Sequence, residues 1–266
     1  MKRVFVRPNT MTRVFQPKNP VLNQRFVTNF VAQERMSYDG TMRKIGGLLG
    51  LTVVTALAAM AVSWTAPSSE MALVYAGGFT AVGFGGGFII ALILMFARPQ
   101  NPAGLMITYA LLEGLAVGGV SYLFESAYEG IVFQALFGTL GITVTMYGLY
   151  TSRVLRPTPT FNKVVFGLMF SIMALYLVSF IMRLTVGIDV PFLHTSGPIG
   201  IAVTAFILVI AALTLISDFG FIESGVQYGA PKQMEWYAAF GILMSLIWIY
   251  VETLRLLAKL RAFAQD

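Results

Sequence analysis

Seven apolar runs, at roughly 45–64, 72–97, 105–124, 131–151, 164–186, 198–217 and 236–257, alternate with short polar connectors. Each approaches or exceeds the ~20 residues that a helix needs to cross a bilayer. The prolines respect this division. Pro67, Pro99, Pro102, Pro157, Pro159, Pro191 and Pro231 fall between runs, Pro198 opens one, and the others precede the first. A proline in a helix interior costs about 3 kcal/mol, so its exclusion supports helices. Connectors as short as 65–71 and 125–130 join antiparallel neighbours. The pattern predicts one all-α polytopic domain of seven transmembrane helices at 45–258. A basic segment at 1–44 precedes it and a short tail at 259–266 follows.

Composition agrees with that pattern. The 266 residues are 57% hydrophobic and 11% charged, against about 25% charged in soluble domains. There is no cysteine and one histidine, His194, so disulfides, thiol catalysis and cysteine metal sites are excluded. The net charge of +6 forms no nucleic-acid stripe: nine of the eighteen Lys and Arg residues fall in the first 44 positions. That segment reads as cytoplasmic, beside anionic lipid. No signal peptide is evident in it, so the first span is expected to direct insertion into a bacterial cytoplasmic (inner) membrane. Arg98, Arg153, Arg156 and Lys163 fall in alternate connectors, which also places the N-terminus inside. Arg255, Lys259 and Arg261 would then lie outside. Seven crossings are expected; the alternative is a re-entrant segment near 216–235 that returns both termini to the cytoplasm. Asn19-Pro20 followed by Leu22, Phe26 and Phe30 suits a short interfacial helix, with a disordered lead as the other reading.

Three carboxylates, Glu113, Asp218 and Glu252, lie inside or at the rim of these runs. An ionised carboxylate in hydrocarbon costs several kcal/mol unless paired, hydrated or protonated, so each is a candidate ion or proton site. Glu113 could equally be a neutral, hydrogen-bonded group. Asp218 is expected to end the sixth helix, where the negative end of the helix dipole disfavours a carboxylate. Glu252 has ion-pair spacing to Arg255 and shares a face with Ser245. Arg183 is expected to snorkel, with a counter-ion role as the alternative. The pairs Gly83/Gly87 and Gly114/Gly118 are small-xxx-small spacings that let helix backbones approach. The string GFGGGF lacks the strand–turn–helix context of a phosphate loop. No serine triad, zinc motif or pair of deep aspartates can be assembled, so an enzyme is not expected.

Several stretches carry a family resemblance. Asn19-Pro20-Val21-Leu22, MSYDGTMRKIGGLL at 36–49, YALLEGLAVGGVSYLFE at 109–125 and above all 217–261 resemble the Bax inhibitor-1 / YccA-like (TMBIM) superfamily, in its bacterial branch. The resemblance implies six helices packed around a central C-terminal seventh. It also implies a pH-sensitive calcium leak latched by two aspartates that share a proton. Asp218 matches the first aspartate; counting back from Leu254-Arg255-Leu256-Leu257, the second position holds Ser245. A two-aspartate latch therefore cannot form here, and Glu252 or Glu113 would have to partner Asp218. Calcium held by Asp218 and Glu113 is the corresponding metal expectation. The resemblance also implies a different function, a non-transporting protein that modulates a membrane-bound protease and docks through residues 1–44. A proton-coupled transporter is a third reading. No cofactor is expected beyond transported calcium or protons.

Overall fold

A computed structural model of the chain describes residues 34–188, 193 and 195–265. His194, Asp189 and the interfacial helix expected after Pro20 lie outside the described residues. Among the described residues seven long helices form: α1 Tyr38–Trp64, α2 Ser69–Ala97, α3 Ala103–Ala127, α4 Ile131–Thr151, α5 Pro159–Thr185, α6 Pro198–Gln227 and α7 Met234–Gln265. All seven are long and apolar enough to cross a membrane. Ser37, Ser68 and Thr158 cap α1, α2 and α5 by accepting from backbone N–H groups of the first turn, and Pro159 and Pro198 open α5 and α6. Gly130 at φ 76° and Gly229 at φ 65° make the sharp turns into α4 and after α6.

The helices alternate in direction. The near end of the bundle, where α1, α3, α5 and α7 begin, is tied by the Tyr237 hydroxyl donating to the Pro99 carbonyl at 3.0 Å. The far end is tied by Arg261 donating to the Glu129 carbonyl at 2.8 Å.

α7 packs directly on α1, α3, α4 and α6. α2 and α5 reach it through side chains. Ala91 and Leu94 of α2 share a cluster with Phe240 and Leu243, and Tyr176 of α5 bonds Glu252. The C-terminal helix is thus the hub. Elsewhere glycine sets the packing. Gly83 lies against the backbone of Leu112, Gly114 against Thr52, and Gly118 against Ala56. In a bilayer such close van der Waals approach supplies what the hydrophobic effect does not.

Helix ends depart from the apolar runs in three places. α1 begins at Tyr38, ahead of residue 45, because Ser37 caps it and polar Asp39 and Arg43 form an ion pair at 2.8 Å along its first turns. α6 continues past 217 to Gln227, so no re-entrant segment exists at 216–227. Its last turns are polar yet anchored: Glu223 pairs with Arg156 at 2.9 Å and accepts from the Tyr150 hydroxyl. α7 continues to Gln265, through good helix formers, so 259–265 is helix and no loose tail. In each case the helix runs on past the end of the apolar run.

Residues 34–37 form a strap over the α6–α7 turn. Arg35 bridges Pro231, Met36 donates to Ala230 at 2.8 Å, and Lys232 donates to Glu34 at 2.9 Å. Hydrogen bonding to the Glu34 side chain raises the exposed Lys232 ammonium above its ordinary pKa. Beneath the strap, fully buried Glu235 accepts from the Ser37 backbone and hydroxyl at 3.0 Å each, and pairs with Lys44.

Candidate ion pathway

The seam between α5, α6 and α7 holds a row of buried polar groups that includes Thr204, Thr214, Ser217, Ser245, Glu252 and Lys259. At the near end, Pro157, Asn162 and Phe166 of α5 and its lead face Asp218 and Gly220 of α6 and Gly241 of α7 across a cavity of about 420 Å3. Asp218 lies at its inner wall. Sequence reasoning put this residue at a helix end. It sits inside α6, nine residues before Gln227, or roughly 14 Å of helix rise. It therefore lies more than two turns away from the negative end of the helix dipole.

The carboxylate of Asp218 accepts from the Ser245 hydroxyl at 2.6 Å. The Thr214 hydroxyl donates to Ser245 Oγ at 2.9 Å and also lies 2.6 Å from the Ala211 carbonyl. Each hydroxyl has one proton, so this row of groups has two complete arrangements. With Asp218 ionised, Thr214 donates to Ser245 and Ser245 to Asp218. With Asp218 protonated, the order reverses: Asp218 donates to Ser245, Ser245 to Thr214, and Thr214 to the Ala211 carbonyl. Every group stays bonded in both, and what changes is the charge facing the cavity. A Cβ on Gly241 would stand 3.0 Å from Asp218 Oδ1, so glycine leaves that oxygen open.

Seven residues along α7, Glu252 is buried, with 1% exposure. Its Oε1 accepts from the Tyr176 hydroxyl at 2.8 Å and lies 3.4 Å from Arg255. Arg255 also stacks over the Tyr176 ring at 4.9 Å. The spacing to Arg255 was legible in sequence; Tyr176 was not. Glu252 Oε2 has no hydrogen-bond partner. Ile172 of α5 and Ile207 and Ile210 of α6 form an apolar cluster beside this level, with Trp248 packed against them.

A family profile described as Bax inhibitor 1 like matches residues 19–262. The chain belongs to this family. No curated protein and no solved structure matches it. The hub position of α7 agrees with what the resemblance implied.

Within this Bax inhibitor 1 like bundle the candidate acids are not all together. Asp218 and Ser245 touch. Glu113 lies apart, in the α2–α3 wall, with its Oε1 against Gly87 and the Tyr109 phenol one turn earlier. Its Oε2 is buried without a partner. No hydrogen bond or ion pair among the described residues joins Glu113 to Asp218 or Glu252. Among the described residues no three His, Asp or Glu side chains are grouped to hold a metal ion, and the helices that carry Glu113 and Asp218 do not pack on one another. The physical reason is helix order: α3 presents Glu113 to α2, while α6 presents Asp218 to α7. Arg183 sits exposed in the last turn of α5.

The row on α7 ends in a residue that the sequence did not mark as a site. Lys259, assigned to a tail, is buried with 9% exposure on the same face of α7 as Ser245 and Glu252. Its spacing of seven and fourteen residues from them was the available signal.

Proposed function

We propose that the α5–α6–α7 seam is a pH-modulated cation (calcium) leak pathway of a bacterial cytoplasmic membrane, with Asp218 as its titrating group. The observation that carries this reading is a carboxylate placed between a cavity and a reversible hydroxyl row. Ionised Asp218 offers the cavity an anionic oxygen, the ligand type that calcium prefers. Protonation removes that charge without breaking the α6–α7 contact. Cation flux therefore falls as the pH falls through the Asp218 titration. Because Ser245 occupies the second position, this is a one-carboxylate device and has no shared-proton latch.

The near end is read as cytoplasmic. Arg35, Arg43, Lys44, Arg98, Arg153, Arg156, Lys163 and Lys232 gather there, which accords with basic residues remaining inside.

The test is calcium efflux from loaded proteoliposomes across acidic to neutral pH. Wild type leaks more at neutral pH. Asp218→Asn leaks at the acid level throughout. An Asp218→Asn profile that still follows pH as wild type does would remove the proposed role.

A further inference from the structure

The far end of the seam presents an unusual cation. The Lys259 ammonium donates to the Leu193 carbonyl at 2.8 Å, the Gly200 carbonyl at 3.1 Å and the Thr204 hydroxyl at 2.8 Å. The Thr204 hydroxyl also lies 2.9 Å from the Gly200 carbonyl, so it can send its own proton there and turn its lone pairs to the ammonium. Three N–H bonds thus meet three neutral oxygens. No carboxylate lies within ion-pair distance of this nitrogen among the described residues. A buried lysine is ordinarily paired with an acid. This one sits in an oxygen shell of the kind that holds a metal cation.

Its place in the fold gives the shell a meaning. Ser245, Glu252 and Lys259 follow one another at intervals of seven on α7, about 10 Å apart. Asp218 with Ser245 marks the near cavity, Glu252 comes next, and Lys259 ends the row. Lys259 and Arg255 both line a second cavity of about 250 Å3 at the far end, with Phe124, Tyr128 and Ser196. In the leak reading, a cation moving along the seam leaves past this nitrogen.

We propose that Lys259 is a tethered cation. Its ammonium fills a three-oxygen cation site at the far mouth of the seam and closes that mouth to permeating ions. This rests on the leak reading given above and adds the element that keeps the pathway shut. Opening requires the lysine to swing out toward the far cavity, which frees the Leu193, Gly200 and Thr204 oxygens for the ion.

The chain has no cysteine, so a thiol at position 259 is a unique chemical handle. In calcium-loaded proteoliposomes at neutral pH, Lys259→Cys leaks roughly tenfold faster than wild type, the scale on which one charge at a constriction alters ion entry. Treatment with 2-aminoethyl methanethiosulfonate rebuilds an ammonium on a side chain of similar length and returns the leak toward wild type. Methyl methanethiosulfonate adds a neutral group and does not. Thr204→Val, which keeps the lysine and removes one of its oxygens, raises the leak by a smaller factor, and it carries the test if Lys259→Cys does not fold.

A Lys259→Cys leak equal to wild type overturns the proposal, as do equal responses to the two reagents. If wild type shows an Asp218-dependent leak while Lys259→Cys and Thr204→Val change nothing, the plug falls and the pathway stands. If Lys259→Cys opens a leak that the aminoethyl reagent closes and Asp218→Asn does not alter, the plug stands and the Asp218 reading falls.

Discussion

Glu113 and Asp218 are both carboxylic acids inside the bundle, yet the helices around them are built in different ways. The wall of α1, α2 and α3 is closed by glycine. Gly83, Gly114, Gly118 and Gly119 each lie against a neighbouring backbone, and Glu113 is pressed onto Gly87. The α5–α6–α7 seam is joined by polar groups and bordered by a cavity, and Asp218 has a hydroxyl partner there. Depth alone therefore says little about an intramembrane acid. Its neighbours decide whether a change of proton has anywhere to register. Around Asp218 a hydroxyl row can reverse; around Glu113 there is backbone, one phenol and an oxygen with no partner.

The contrast can be broken most forcefully in the wall. Gly118→Leu drives a side chain into Ala56 and Ala59, and should cost about 3 kcal/mol or more, with loss of folded protein in detergent. A folded, normally stable Gly118→Leu would show that the wall is looser than its geometry implies. In the seam, Asp218→Asn should remove the pH dependence of flux while shifting unfolding free energy by only about 1 kcal/mol. A large loss of stability there would make Asp218 a packing residue like Glu113. Ser245→Asp sharpens the comparison further. It places two carboxyls at hydrogen-bond distance, so the flux profile should split into two steps separated by at least ~1 pH unit. A single unchanged step would mean that residue 245 does not face the titrating group. The smallest effect belongs to Glu113→Gln, with stability within about 1 kcal/mol of wild type and an unaltered flux profile. A changed profile in that variant would move the sensor to the wall.

Much of this architecture was legible beforehand, and the reasons are local. Run length and proline placement located seven helices, because a bilayer demands both continuous hydropathy and internal hydrogen bonding. The Gly114/Gly118 spacing predicted a close helix contact, since residues four apart lie on one face. The Glu252–Arg255 spacing predicted their pairing for the same reason. Hydropathy misjudged helix ends at Tyr38, Gln227 and Gln265, because a helix leaving the membrane turns polar before it unwinds. That error placed Asp218 at a terminus and Lys259 in a tail.

The chain's own order of residues determined its class, its crossings, the stripe of Ser245, Glu252 and Lys259 along α7, and its membership of the Bax inhibitor 1 like family. Periodicity and composition are properties of neighbours in sequence, so they can be read there. Only the tertiary structure decided that Asp218 meets Ser245 and not Glu113, that Tyr176 reaches Glu252, and that three oxygens distant in sequence from Lys259 enclose its ammonium. Those pairings depend on which helix faces which across the bundle, and helices that are apolar all round carry no mark of their partners.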